Sequence, residues 1–215
     1  MGRWWRPILL LLVATTSSRA QKGSPQLTLS VPPGMAAKSD LPTVAFANML
    51  TEGHLRDLLT AGWPMVLHCR LDLWKKGFIA YSQESAIEWD YIVEYSTSAQ
   101  TYTVKMQQGN RLDVLGVVKN ISDAEQLVDR PIKPAISPQE SGGRYYYDLS
   151  VDLSALRMSD LDAWQRWVRG EAQPAVKGRR SVFSAFKEGV GSLMSRVLGG
   201  DRQHYDRRSE TFTAG

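Results

Sequence analysis

The stretch Met65–Lys76, MVLHCRLDLWKK, constrains the fold most, because its apolar residues recur at every second position. A period of two is that of a β-strand with one face buried, whereas the apolar face of a helix repeats every three to four residues. His68 and Cys69 are therefore expected on opposite faces and do not form a joint site. Cys69 falls in the leucine set, where a free thiol behaves as a small apolar side chain. We expect it to be buried and chemically inert.

Further runs with a period of two predict that most of the chain is strand. They cover residues 27–31, 43–48, 86–95, 102–106, 112–118 and 145–153. Helices are expected only between or after them: one follows Thr51 and ends at Gly62, one opens with a capping box of Ser122 and Glu125, and one follows Ser159. Strands joined by short turns predict an all-β fold, an antiparallel β-sandwich of immunoglobulin-like size. A closed barrel is the alternative, because alternation does not show whether a sheet closes.

The first 20 residues have the three parts of a cleavable export signal. Arg3 and Arg6 give a positive start, ILLLLVA at residues 8–14 is a short apolar run, and small residues precede a cleavage point after Ala20. The apolar run is far shorter than the roughly 20 residues that span a bilayer, so a transmembrane anchor is not expected. We expect an exported protein whose mature chain begins at Gln21. Its single cysteine predicts neither an internal disulfide nor a disulfide-linked partner.

Loss of the signal changes the charge balance. It removes three arginines and no acidic residue, so that 23 basic residues face 22 acidic ones in the mature chain. Residues 21–170 alone carry 15 basic and 17 acidic residues. Such a body lacks the basic surface that a phosphate backbone requires, so nucleic acid is not expected as a partner.

The composition divides the chain into five parts. These are a signal peptide at 1–20, a β-sandwich domain at 21–170, a linker at 171–179, an amphipathic helix at 180–200 and a polar disordered tail at 201–215. On a helix of 100° per residue, seven apolar side chains of the fourth part fall within an arc of about 120°. They are Val182, Phe183, Phe186, Val190, Leu193, Met194 and Val197. Gly189 and Gly191 weaken this helix, so it needs a surface to order it: its own domain, a partner protein or a membrane interface.

Acidic residues on one predicted strand are the first candidates for chemistry. Glu88, Asp90 and Glu94 share a face, with neighbours about 7 Å apart, near the separation of the paired carboxylates in glycoside hydrolases. Because this face is the complement of the apolar one, we interpret it as solvated and paired with cations such as Arg70 and Lys105.

Other candidates are weaker. Tyr145, Tyr146 and Tyr147 would suit sugar stacking, but two of the three belong to the apolar set and are expected in the core. His54 and His204 lack the spacing of a metal-ligand set, and no catalytic or nucleotide-binding motif is present. We therefore assign no catalytic residue, no metal and no cofactor.

Five segments in order resemble a known family. They are the LP at 41–42, EGHLRDLLTAGWPMVLHCRLDLWKKG, EWDYIVEYSTSAQTYTV, SDAEQLV and YYYDLSVDLSAL. Over residues 41–167 the chain resembles the bacterial family catalogued as domain of unknown function 4390. The resemblance implies an exported bacterial protein of the periplasm or cell envelope. It implies no established activity and brings no catalytic motif.

Three hypotheses of function follow. The first is an exported non-catalytic cell-envelope module that binds a protein or membrane surface through the seven apolar residues of segment 180–200. The second is a carrier of a small apolar ligand between its sheets, and the third is a carboxylate-based hydrolase. An enclosed apolar cavity would favour the carrier, whereas a cavity with convergent ionisable groups would favour the hydrolase.

Overall fold

The computed structural model describes residues 23–51, 53–156 and 202–215. In chain order the elements are β1 (Gln26–Ser30), β2 (Thr43–Ala47), α1 (Gly53–Thr60), β3 (Met65–Lys76), β4 (Tyr81–Ser96), β5 (Thr101–Gln108), β6 (Arg111–Val118), α2 (Ile121–Val128), β7 (Arg144–Ala155), β8 (Gln203–Arg208) and β9 (Phe212–Thr213). The predicted signal peptide, the linker, the amphipathic helix and the helix after Ser159 lie outside these residues.

The strands form two antiparallel sheets. The larger sheet has the order β6-β5-β4-β3-β7-β8, with β9 also paired to β7, and the smaller sheet is the β1–β2 ribbon. Within the described residues β6 and β8 lie at the two ends of this order, so the sheet is open rather than a barrel. The prediction of a mostly antiparallel all-β, sandwich-like fold is confirmed.

The core lies on one face of the large sheet. The second layer of the sandwich is small and consists of the β1–β2 ribbon together with α1 and α2. Phe46 of the ribbon contacts Tyr91 edge-on, with 5.8 Å between ring centroids. The inward side chains of β3 are fully buried, and they alternate as the sequence predicts. They are Met65, Leu67, Cys69, Leu71 and Leu73. Cys69 is therefore inside the core, and His68 is on the other face.

The helix ends agree with the sequence in one case and differ in the other. Gly62 follows α1 with a φ of +93°, the left-handed conformation that stops a helix and suits glycine. The prediction that Ser122 and Glu125 form a capping box is wrong. The N-cap of α2 is Asn120, two residues before Ser122, and the Glu125 carboxylate instead accepts a hydrogen bond from the Leu50 N–H at 3.3 Å. A long-range contact thus replaces the local one.

The prediction of a polar disordered tail is also wrong for residues 202–215. Strand β8 pairs with β7, placing His204 opposite Asp152, and β9 places Phe212 opposite Tyr145. Ala214 is 1% exposed in the core. Strand β8 is polar because it is an edge strand with little apolar surface to bury. Backbone hydrogen bonds and ion pairs with β7 hold it in place.

Removal of β8 and β9 tests this correction. A chain that ends at Asp201 loses the hydrogen bonds of β8 and β9 to β7 and uncovers Tyr145 and Tyr147, which contact Phe212. We expect the melting temperature to fall by roughly 5 °C or more, as a loss of about 2 kcal/mol does in a domain of this size. Glu210→Gln, at an exposed position, is the control. An unchanged melting temperature after truncation would support the prediction of a disordered tail instead.

Burial of Cys69 has a chemical consequence, because burial raises the pKa of its thiol well above the usual value. We expect a thiol reagent to label Cys69 only in denaturant. Cys69→Ala should destabilise the fold by about 1–2 kcal/mol through the cavity it leaves. The double variant Cys69→Ala/Ser82→Cys is the control, because its only thiol lies at an exposed position of β4 and should react at once. Rapid labelling of the native wild type would mean that the register of β3 is shifted by one residue.

Candidate functional site

The outer face of the large sheet carries a row of polar side chains across five neighbouring strands. The strand register places Gln107 of β5 opposite Asp90 of β4, Asp90 opposite His68 of β3, His68 opposite Asp152 of β7, and Asp152 opposite His204 of β8. Neighbours in such a row have Cβ atoms about 5 Å apart, and hydrogen bonds join His68 to Asp90 and His204 to Asp152. We call these five residues the polar row.

The centre of the polar row is a partly buried ion pair. Nδ1 of His68 donates a hydrogen bond to Oδ1 of Asp90 at 2.7 Å, and Asp90 is only 4% exposed. Burial by itself lowers the pKa of His68, but the hydrogen bond and the negative charge of Asp90 outweigh it and raise that pKa above its usual value. The pair therefore carries a protonated imidazole over a wider pH range than a free histidine would.

The β7–β8 end of the polar row has a second carboxylate with two hydrogen-bond donors. Asp152 accepts hydrogen bonds from Nδ1 of His204 at 2.8 Å and from Nε of Arg202 at 3.1 Å. Burial raises the pKa of Asp152, but Arg202 and His204 outweigh burial and hold that pKa below its usual value. Asp152 is therefore an ionised anchor for strand β8 rather than a proton donor.

The predicted carboxylate set is paired as expected. Arg70 bonds to Glu88, and Lys105 bonds to Glu94 at 2.7 Å. The expectation that the whole face is solvated is wrong at Asp90, which the sheet and its own pairing with His68 bury. In a catalytic pair, different surroundings keep one carboxyl group protonated as the acid and the other ionised as the base. Glu88, Asp90 and Glu94 are instead each paired with a basic side chain.

A polar cleft of about 400 Å³ adjoins the polar row on β3, β7 and β8. It is lined by Asp72, Asp148, Ser150, His204, Asp206 and Arg208. Asp148 is bonded to Arg208 at 2.9 Å, and Asp72 accepts hydrogen bonds from Arg70 and Gln83. Among the described residues, no group of three side chains is arranged to hold a metal ion. The cleft is a network of ion pairs open to solvent.

The three neighbouring tyrosines divide between the faces. Tyr145 and Tyr147 are fully buried on the inner face, which confirms that two of the three belong to the core. Tyr146 lies on the outer face, stacked on Trp74 at 6.2 Å and met edge-on by Tyr81 at 5.0 Å. The guanidinium of Arg208 lies 4.7 Å from its ring centre. Because Trp74 and Arg208 contact this ring, it does not offer the open face that sugar stacking needs.

The hairpin between β3 and β4 presents residues that the sequence reading missed. Phe78 is 105% exposed and Ile79 is 94% exposed, and they occupy the turn between Lys76 and Tyr81. We call residues 77–80 the hairpin tip. The sequence signal for it is the pair of large apolar residues in GFIA, a turn preceded by two lysines, at positions where polar residues are usual.

A perturbed carboxyl lies outside the polar row, at the end of α2. Burial raises the pKa of Asp129 to about 7, the negative charge of Glu125 one turn earlier adds to this, and a hydrogen bond from the Asn48 backbone opposes it. Its Oδ1 atom is buried and has no hydrogen-bond partner. It joins no other candidate group, so we interpret it as a site of stored electrostatic strain between α2 and the loop after β2.

The seven residues predicted to bind a membrane or partner, Val182 to Val197, lie outside the described residues. In the part of the chain that is described, no helix has the length and apolar character to cross a membrane. Protein-family models, curated proteins and solved structures gave no match to this chain. The resemblance to the family catalogued as domain of unknown function 4390 therefore stays a prediction.

Asp129 gives a pH dependence with a defined sign. Its folded pKa of about 7 exceeds the usual 3.8, so the folded state keeps a proton that the unfolded state has released. Stability should therefore fall as the pH rises through this window, and Asp129→Asn should remove the fall. We expect a gain of about 1 kcal/mol at pH 8, a value reduced because the carboxyl is only half buried. Denaturant unfolding at pH 5 and pH 8 measures it. Asp57→Asn, at an exposed position of α1, is the control, and an equal response of both variants would refute the assignment.

Proposed function

We propose that this chain is an exported, non-catalytic module of the bacterial cell envelope that binds a surface of the envelope through its hairpin tip. The export signal and the family resemblance support the location. The observation that carries the binding role is the exposure of Phe78 and Ile79 side by side at the end of a hairpin. Single exposed apolar residues are common, but two adjacent large ones on a projecting turn are typical of a contact site.

The ionisable groups of the outer face favour binding over catalysis. The predicted carboxylates Glu88, Asp90 and Glu94 are each engaged by a cation, and Cys69 lies in the core. A hydrolase of the paired-carboxylate type needs one protonated and one ionised group facing a substrate. The polar row therefore serves to hold the strands together.

The carrier hypothesis is disfavoured by the packing between the layers. The space where an apolar ligand would lie is filled by large side chains, among them Phe46, Trp89 and Tyr91. A carrier keeps such a space open for its ligand.

Segment 180–200 is the second candidate for the same binding role. Its seven apolar residues on one helical stripe remain the sequence observation that favours it. In this proposal the domain is a sandwich of immunoglobulin-like size with a C-terminal amphipathic helix. The hairpin tip and the segment are separable by mutation, because they are about 100 residues apart in the chain.

Cell fractionation tests the proposal. The protein is expressed in a bacterium without a tag, because Gly215 is hydrogen-bonded to Met35 and Ala37. We expect N-terminal sequencing to find Gln21 and the protein to be retained with washed envelopes. Phe78→Ser/Ile79→Ser should release most of it into the soluble periplasmic fraction, because the exposed apolar surface is lost.

The matched control is Val114→Ser/Val117→Ser, which removes two other apolar side chains, 61% and 60% exposed on β6. This variant should stay with the envelopes. An intact Met1 in the cytoplasm would refute export, and retention of the tip variant equal to wild type would refute the binding role of the hairpin tip.

A further inference from the structure

The hairpin tip projects beyond the strands that flank it. Strand β7 pairs with β3 only as far as Lys75, and β5 pairs with β4 only from Asp90 onward. Beyond these points β3 and β4 pair with each other, ending with Lys76 opposite Tyr81. The last turn is therefore a convex end rather than part of a groove or a flat face.

One backbone hydrogen bond within the hairpin tip satisfies part of its polar backbone. The Gly77 N–H donates to the Ala80 carbonyl at 2.8 Å, which closes the tip on itself. A Cβ atom at Gly77 would lie 2.8 Å from that carbonyl oxygen, so only glycine fits this close approach. Internal hydrogen bonding of this kind lowers the penalty for bringing a turn out of water.

Aromatic side chains lie at the base of the projection. Trp74, Tyr81 and Tyr146 form one cluster, with Trp74 opposite Tyr146 across the β3–β7 pair. At about 3.3 Å per residue, the four residues from Trp74 to Phe78 correspond to roughly 13 Å of extended strand. Tyrosine and tryptophan are enriched at the level of lipid headgroups, and interfacial elements enter the bilayer by roughly 5–10 Å. The cluster thus lies near the depth where headgroups would be if the tip were inserted.

The charges near the tip fit a phospholipid surface. Residues 77–83, GFIAYSQ, carry no charge, and the basic pair Lys75 and Lys76 comes immediately before them. Lys76 is exposed, and Lys75 is bonded to Glu140. Lysine stems lie along apolar surface while their ammonium groups reach phosphates, so this arrangement suits a lipid headgroup layer. The basic excess is small, which makes apolar insertion the main contribution.

We infer that the hairpin tip inserts into the interface of a phospholipid membrane, with Phe78 and Ile79 at the boundary of headgroups and acyl chains. This inference rests on the proposed function and names the partner of the same site. A convex apolar end without charges needs a soft, apolar phase, whereas a protein partner would have to supply a matching pocket. Lys76, which is exposed, complements the phosphate layer on the water side.

Vesicle flotation tests the inference with the mature chain, residues 21–215. The vesicles are of phosphatidylcholine alone or with one third phosphatidylglycerol, a composition chosen to separate apolar from electrostatic binding. We expect flotation with both lipids, tighter with phosphatidylglycerol and weakened less than about threefold by added salt, since few charges contribute. Phe78→Ser/Ile79→Ser should weaken the partition coefficient by roughly 10- to 100-fold, because the interface buries the two side chains only in part and full burial of both would contribute about twice that free energy.

Two control variants are matched to the tip variant. Val114→Ser/Val117→Ser removes exposed apolar surface elsewhere on the sheet and should float as wild type does. Phe183→Ser/Phe186→Ser alters the predicted stripe of segment 180–200 and should also retain flotation. The tip variant should keep the wild-type melting temperature, because its two side chains are fully exposed and contribute no packing.

Each remaining outcome overturns the inference. If wild type does not float but its retention with envelopes still depends on Phe78 and Ile79, the proposed function stands and the partner is a protein. If flotation is lost only in Phe183→Ser/Phe186→Ser, the segment is the membrane contact and the hairpin tip is not. If neither flotation nor envelope retention depends on the tip, both proposals fail.

Discussion

The register of β3 is the constraint on which the rest of the structure depends. The strand is paired along nearly its whole length with β4 on one side and β7 on the other. Because side chains alternate between faces, a shift of one residue would place Arg70 and Asp72 in the core and turn the leucines to water. One strand thereby fixes both the apolar core and the line along which the outer polar groups meet.

The polar row contributes to that register more than to overall stability. The more exposed pair of the row, His204 with Asp152, contributes about 0–1 kcal/mol. The His68–Asp90 pair differs, because Asp90 is buried and a buried carboxylate without its partner is strongly unfavourable. A misaligned sheet would separate that pair, so its burial penalises wrong registers even where it adds little to the free energy of the correct one.

The alternation in the sequence was sufficient to predict strands β1 to β7, the burial of Cys69 and the outward side of His68, because each depends on a local period. The errors arose where long-range contacts decide. Strand β8 has no apolar pattern of its own and is ordered by β7, across 47 residues of chain between Ala155 and Gln203. The alternation predicts that Asp90 is solvated, yet neighbours on other strands bury it. Glu125 satisfies a capping pattern but bonds to Leu50, a residue that the local sequence does not bring near.

The hairpin tip was missed for a different reason, which bears on function. Periodicity identifies residues that the fold buries, and Phe78 and Ile79 are buried by nothing in the described structure. Gly77 is required by the turn itself, because a Cβ atom would collide with the Ala80 carbonyl. No such requirement applies to the next two positions, where polar side chains would serve the turn equally well and would avoid exposing apolar surface to water. Folding of the described residues therefore accounts for the glycine but not for Phe78 and Ile79, and the proposed contact with a membrane is the reason we offer for their apolar character.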